Sequence, residues 1–144
     1  MRRFVFAGVL VSAVALWSVQ AQEALPSNTE RLLKAALDAQ IRALNSENPA
    51  GVMALFHPDA PNLKQTQQGL VGMFRSYDLK YTIDSKHYVG TDLPYAYIRV
   101  VQTTAGAKLK PSQTEQLFVF KRNGKSWAFW TSVVLNKRAI PSRR

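Results

Sequence analysis

His57 and His87 are the only two histidines in the chain, so a general base or an imidazole ligand has to be sought there first. His57 stands in the run Phe56-His57-Pro58-Asp59, with a carboxylate two residues on. His87 has the same parity as Tyr81 and Ile83 in an alternating stretch, which turns it inward with them unless a bulge near Ser85 reverses it. Tyr95, Tyr97 and Arg99 form a second row of polar-tipped side chains with one parity. Facing inward, Arg99 would clamp a carboxylate through two parallel hydrogen bonds; facing outward, it is a solvated arginine and the tyrosines are ordinary strand packing. Tyr81, His87, Tyr97, Arg99 and His57 are therefore the candidate ligand-binding residues. A mostly apolar pocket carrying these few polar groups suits a small hydrophobic or acidic ligand.

No catalytic set is assigned, because no acid is placed to orient both histidines. Asp59, beside two prolines, reads as a turn-closing residue, and His57 at a helix end before proline reads as a cap. The chain has no cysteine, which excludes disulfide frameworks, thiolate metal centres, cysteine nucleophiles and lipid attachment at cysteine. No metal and no cofactor is expected.

The 144 residues suffice for one domain and one core. Hydrophobic residues make up 47% and charged residues 19%, the balance of a folded globular chain rather than a disordered one. The net charge of +10 is unevenly placed. After position 92 the only acid is Glu115, among ten lysines and arginines. Lys108, Lys110, Arg122 and Lys125 fall in loops, and Lys137, Arg138, Arg143 and Arg144 in the tail. They do not interleave with stacking aromatics as a nucleic-acid surface would, so no nucleic-acid partner is expected. Contact with an anionic membrane surface is a lesser alternative, which steep weakening with salt would reveal.

Residues 1–21 have the layout of a secretory signal peptide. Arg2 and Arg3 precede an uncharged, mostly apolar run, and Val19-Gln20-Ala21 offers small residues for cleavage after Ala21. The apolar run is shorter than the roughly 20 residues a membrane span needs. The expectation is a periplasmic or secreted protein, with one domain over residues 22–135 and a frayed basic tail over residues 136–144.

Within that domain Ser27 and Glu30 form a capping box, and Leu33, Leu37, Ile41 and Leu44 recur at helical spacing. Asn48-Pro49 opens a second short helix, running to His57, with Val52, Met53, Leu55 and Phe56 as its buried stripe. Asn62 caps a third, with Leu63, Thr66, Leu70 and Phe74 on one side. From Leu79 the period becomes two, which predicts a strand ending in a turn at Gly90-Thr91-Asp92 and further strands over residues 95–104, 113–121 and 126–135. Helices followed by an antiparallel meander make an α+β domain.

Asn123-Gly124 as a two-residue turn sets Phe120 opposite Trp127 and Phe118 opposite Phe129 on one face. Leu117, Val119, Ala128 and Trp130 then occupy the other. Both faces are apolar, whereas a sheet with helices on one side ordinarily presents a polar face to water. A second copy is the simplest cover, so a homodimer through the sheet is expected. The alternative is a tail or loop folded over Trp130.

The run Ala43-Leu44-Asn45-Ser46-Glu47-Asn48, followed by Val52-Met53-Ala54-Leu55-Phe56-His57-Pro58-Asp59-Ala60, resembles the second-helix signature of the nuclear transport factor 2-like superfamily, SnoaL-like branch. Phe118-Val119-Phe120, Asn123-Gly124-Lys125 and Trp127-Ala128-Phe129-Trp130 resemble its last hairpin. The resemblance implies a cone in which three N-terminal helices pack on a curved antiparallel sheet of about four strands and enclose a pocket. It does not imply one activity, since the superfamily holds isomerases, dehydratases, hydrolases, cyclases and non-catalytic binding domains. Its steroid isomerases place an acid on a strand just after the second helix, and that strand is missing here. Two readings remain: a non-catalytic secreted domain that binds a small ligand or an envelope protein as a dimer, and an isomerase- or dehydratase-type enzyme with His57 or His87 as base.

Overall fold

Leu33 and Leu37 are completely buried on helix α1 (Thr29–Asn45), with Ile41 and Gln40 continuing the same stripe. The 3.6-residue period of the sequence is thus the face that α1 turns to the sheet. The computed structural model describes residues 28–141. The expected signal peptide, Ser27 of the expected capping box and the last three residues of the tail lie outside the described residues. Where α1 ends, Asn45 mimics a strand neighbour: its side-chain carbonyl accepts the Tyr81 N–H at 2.7 Å and its amide donates to the Tyr81 carbonyl at 2.9 Å.

Helix α2 (Pro49–Met53) starts as expected, with Asn48 accepting the Gly51 N–H through its side chain at 2.9 Å. It is shorter than expected. Leu55 and His57 leave the helix because the main chain of Phe129 takes them up: the Phe129 N–H donates to the Leu55 carbonyl and the His57 N–H to the Phe129 carbonyl, each at 2.8 Å. This single bridge at Phe56 stands where the resemblance implied a strand. Helix α3 (Leu63–Ser76) begins after Asn62, which adopts a left-handed conformation with φ of 58° and makes no side-chain cap. No residue of α3 is fully buried; Leu63, Thr66, Leu70 and Phe74 form a half-buried face.

Four antiparallel strands follow in the order of the chain: β1 (Leu79–Asp92), β2 (Tyr95–Gly106), β3 (Leu109–Asn123) and β4 (Ser126–Ala139). Several boundaries differ from the expected ones: β2 runs on to Gly106 and β3 starts at Leu109 and ends at Asn123, so most of the loop expected between them is strand. β1 runs through Gly90-Thr91-Asp92, and Gly90 sits at a register shift rather than in a turn. β4 continues past Leu135, because Asn136, Lys137 and Arg138 pair with Glu115, Thr114 and Gln113 of β3; the start of the expected tail is strand. At the other end of β2, a Cβ on Gly106 would lie 2.7 Å from the Asp78 carbonyl oxygen, so the close approach of β1 and β2 there requires glycine.

The core is one cluster. Leu33 and Leu37 of α1 meet Ala96, Ile98 and Val100 of β2, Phe118 and Phe120 of β3, and Trp127 and Phe129 of β4. Phe129 lies at its centre, with the Phe56 ring edge-on at 4.8 Å and Phe118 and Phe120 at 5.5 and 5.8 Å. The expected grouping of Phe118, Phe120, Trp127 and Phe129 on one face is therefore present, but the register differs. Phe120 pairs with Phe129 and Arg122 with Trp127, so the central turn residues are Gly124 and Lys125. The positive φ, 61°, is at Gly124, the first central position, which is where a type II′ turn puts glycine. Next to the turn the slip is two residues, which preserves the face of each side chain; beyond it a register shift leaves Trp130 unpaired, with Val119 opposite Thr131 and Phe118 opposite Ser132.

Candidate functional site

Gln40 is 6% exposed, and its Oε1 is buried without a hydrogen-bond partner. It lies in the apolar stripe of α1 between Leu37 and Ile41 and is one of the residues lining a cavity of about 410 Å³. The concave side of the sheet supplies the floor. Gln102 continues the inward parity of Ile98 and Val100 on β2, and Gln116 continues that of Phe118 and Phe120 on β3. Phe56, Phe118, Phe129 and Trp130 supply aromatic walls. Thr66 of α3, Tyr81 of β1, and Thr131 and Ser132 of β4 stand nearer the mouth. Among the described residues, no charged side chain lines this cavity. Its chemistry is that of amides, hydroxyls and ring faces, which orient a bound molecule by hydrogen bonds without neutralising a charge.

Tyr81 is held in two ways. Asn45 fixes its backbone, and its hydroxyl reaches the Met73 sulfur of α3 at 3.3 Å. Burial pushes the Tyr81 phenol above its ordinary 10.0, because removal from water disfavours the phenolate. The unfolded chain ionises first, so this contribution to stability is complete below about pH 10 and is lost as pH rises through the folded-state value. Urea unfolding across that range should show an alkaline decline that Tyr81→Phe makes shallower; an identical decline in the variant would place its cause elsewhere.

The other expected site residues do not gather around Tyr81. Register shifts between Ile83 and Ser85 and between Tyr88 and Gly90 interrupt β1. Past the first shift the parity reverses: Lys86 and Tyr88 turn toward the helices and His87, paired with Arg99, is exposed. Lys86 reaches across to both carboxylate oxygens of Asp38 on α1 at 2.6 Å. Ala96, Ile98 and Val100 take the core face of β2, so Tyr95, Tyr97 and Arg99 lie on the outer face. Arg99 forms an ion pair there with Glu115, the residue diagonal to it on β3. The expected carboxylate clamp is thus turned away from the cavity and already has a partner.

His57 is 6% exposed and packs its ring edge against Trp130 at 5.6 Å. Its Nδ1 accepts the Asp59 N–H at 3.1 Å in the turn before α3; since α2 ends at Met53, His57 does not cap that helix as expected. It is not among the side chains lining the cavity. Asp59 is exposed, with its carboxylate 3.9 Å from both His57 Nδ1 and Lys121 Nζ. Lys121 in turn lies over the Trp130 ring, 4.4 Å from its centroid. His57, Asp59, Lys121, Trp130 and Tyr95 therefore form one contact group that fastens the loop after α2 to the outer edge of β4.

Gln40, Gln102 and Gln116 had no place among the candidate residues. The signal that marks them is a polar amide at a position where the helix or strand period requires an apolar side chain. Among the described residues no cluster of three metal-ligating side chains occurs, and no helix is long and apolar enough to cross a membrane.

Comparison with solved structures finds the same architecture at low sequence identity. An uncharacterized protein with a cystatin-like fold from Caulobacter vibrioides superposes with a TM-score of 0.67 at 13% identity, over 76% of this chain and 91% of that one. A protein of unknown function with a cystatin-like fold from Nostoc punctiforme gives 0.65 at 13%, over 82% and 96%. A ketosteroid isomerase-like protein from Erwinia carotovora atroseptica gives 0.59 at 17%, over 78% and 99%. These similarities show the α+β cone of the nuclear transport factor 2-like fold and carry no activity with them. No curated protein matches the chain. The fold agrees with the expected resemblance, while the family model that matches, over residues 35–140, is not a SnoaL-like one but that described as anti-sigma-I factor RsgI9, C-terminal domain. That match spans α1 from its second turn to the end of β4, and the chain belongs to this family.

Proposed function

We propose that this is a non-catalytic binding domain that acts outside the cytoplasm, after cleavage behind Ala21, and holds a small uncharged ligand in the concave cavity. The observation that carries the reading is the cavity itself: aromatic walls, an amide floor, no charge among the described residues, and in its lining a glutamine whose buried oxygen lacks a donor. This replaces the acidic ligand expected from Arg99, whose guanidinium faces away and pairs with Glu115. The enzyme reading has less support, since neither His57 nor His87 lines the cavity. The family takes its name from an anti-sigma factor, and a ligand-responsive rather than catalytic role agrees with that.

The pairing as a homodimer belongs to the same proposal. Leu117, Val119 and Ala128 are half-buried on the outer face, and Val133 is 52% exposed beside them. Apolar side chains in that number on the face away from the helices favour cover by a like surface on a second copy. Native mass spectrometry on protein purified from its own cell envelope tests each part. The expected species starts at Gln22, has twice the chain mass and carries a non-protein adduct. A start at Met1 would overturn the secretion, a monomer the sheet pairing, and a dimer without adduct the ligand.

A further inference from the structure

Resting on the cavity reading above, we infer that the ligand is a neutral aromatic compound carrying an N–H or O–H donor, which it presents to Gln40 Oε1. Gln40 is 94% buried by the same measure that finds it 6% exposed, so water cannot serve its oxygen freely. A buried carbonyl oxygen without a donor is an unfavourable feature that a bound donor removes. Among the described residues, Gln40 Oε1 is the one buried side-chain polar atom in this condition, and Gln40 is one of the residues lining the cavity.

The rest of the lining points to the same chemistry. Phe118 and Phe129 are 5% and 6% exposed and present ring surface beside Gln40, which favours a flat apolar body. Gln102 and Gln116 place amide groups on the floor, and an amide both donates and accepts. A ring that bears adjacent donor and acceptor atoms, as in a primary aromatic carboxamide, fits this combination. An anion does not, because among the described residues no lysine or arginine lines the cavity and transfer of a charge there would go uncompensated.

Three probes of nearly the same shape separate these claims. Benzamide has the donor, acetophenone replaces the amide NH2 by a methyl group, and benzoate replaces the amide by a charge. Each is titrated into the full mature chain while the side-chain amide signal of Gln40 and the indole signal of Trp130 are followed by NMR. The expected result is that benzamide shifts both signals and binds about tenfold more tightly than acetophenone, the equilibrium equivalent of one hydrogen bond to a buried acceptor. Benzoate should bind most weakly. In Gln40→Leu the preference for benzamide over acetophenone should vanish while acetophenone still binds. Equal binding of benzamide and acetophenone to the natural protein would overturn the donor inference and leave the cavity reading standing. Failure of all three to shift either signal would overturn the cavity reading and this inference with it. The comparison on the natural chain decides the matter even if the variant does not fold.

Discussion

Phe129→Ala is expected to destabilise the domain by about 3–5 kcal/mol, the usual range for truncating a buried phenylalanine. Three rings converge on Phe129, from Phe56, Phe118 and Phe120, at centroid distances of 4.8, 5.5 and 5.8 Å. Its side chain is 6% exposed and its neighbours come from the α2 exit and from β3. No one neighbour can collapse into the space without giving up its own contacts, so most of the void remains. The effect extends beyond the core. Both main-chain bonds that hold Leu55 and His57 against β4 are made by residue 129; alanine retains them but loses the ring on which Phe56 rests. Equilibrium urea unfolding measures the loss. A cost below about 1 kcal/mol would mean that the aromatic cluster repacks and that Phe129 is not its centre.

Gln40→Leu is expected to act in the opposite direction and stabilise the ligand-free domain by about 1–3 kcal/mol. This is the range for relieving a buried polar group that has no partner. Leucine is close to glutamine in reach, belongs to the apolar stripe of Leu37 and Ile41, and has no oxygen to leave unsatisfied. On the ligand proposal, the natural protein keeps an amide there at a cost to its own stability, as sites reserved for a ligand commonly do. Thermal or urea unfolding of the two proteins without ligand gives the difference directly. Lower stability in the variant would show that Gln40 is a structural residue in the free protein, and it would remove the reason for regarding its oxygen as a ligand contact. Saturating benzamide should then raise the stability of the natural chain more than that of the variant, by mass action on the folded state.

Much of the architecture is legible along the chain because it follows from local periods. Leu33, Leu37 and Ile41 mark the buried face of α1, and Asn48-Pro49 marks the start of α2. The alternation of Phe118, Phe120, Trp127 and Phe129 identifies the core face of the last hairpin. That face was identified even though the turn lies one position later than Asn123-Gly124, since a register slip of two leaves parity intact. The outer places of Leu117, Val119 and Ala128 were legible for the same reason, whereas Trp130, at a register shift of β4, lines the cavity.

The candidate site was less legible. Tyr81 was placed correctly on the concave side, but the row with His87, Tyr97 and Arg99 does not exist. In β2 both parities carry residues at home in a strand, and only packing against Leu33 and Leu37 decides that Ala96, Ile98 and Val100 face inward. In β1 the register shifts reverse parity partway along, and no residue type announces a bulge. Had Gln40, Gln102 and Gln116 been read as polar intrusions into three apolar stripes, they would have stood out, though nothing along the chain says that the three stripes converge.

The amino-acid sequence by itself determined the α+β order, the faces of α1 and of the last hairpin, and the lack of thiol chemistry, because periodicity and composition depend on near neighbours alone. Only the tertiary structure decided that the loop after α2 would pair with β4, that Arg99 would turn outward to Glu115, and that three distant glutamines would meet in one uncharged cavity. Each of these depends on which face of one element lies against another, and that is settled by the packing of the whole core rather than by any local run of residues.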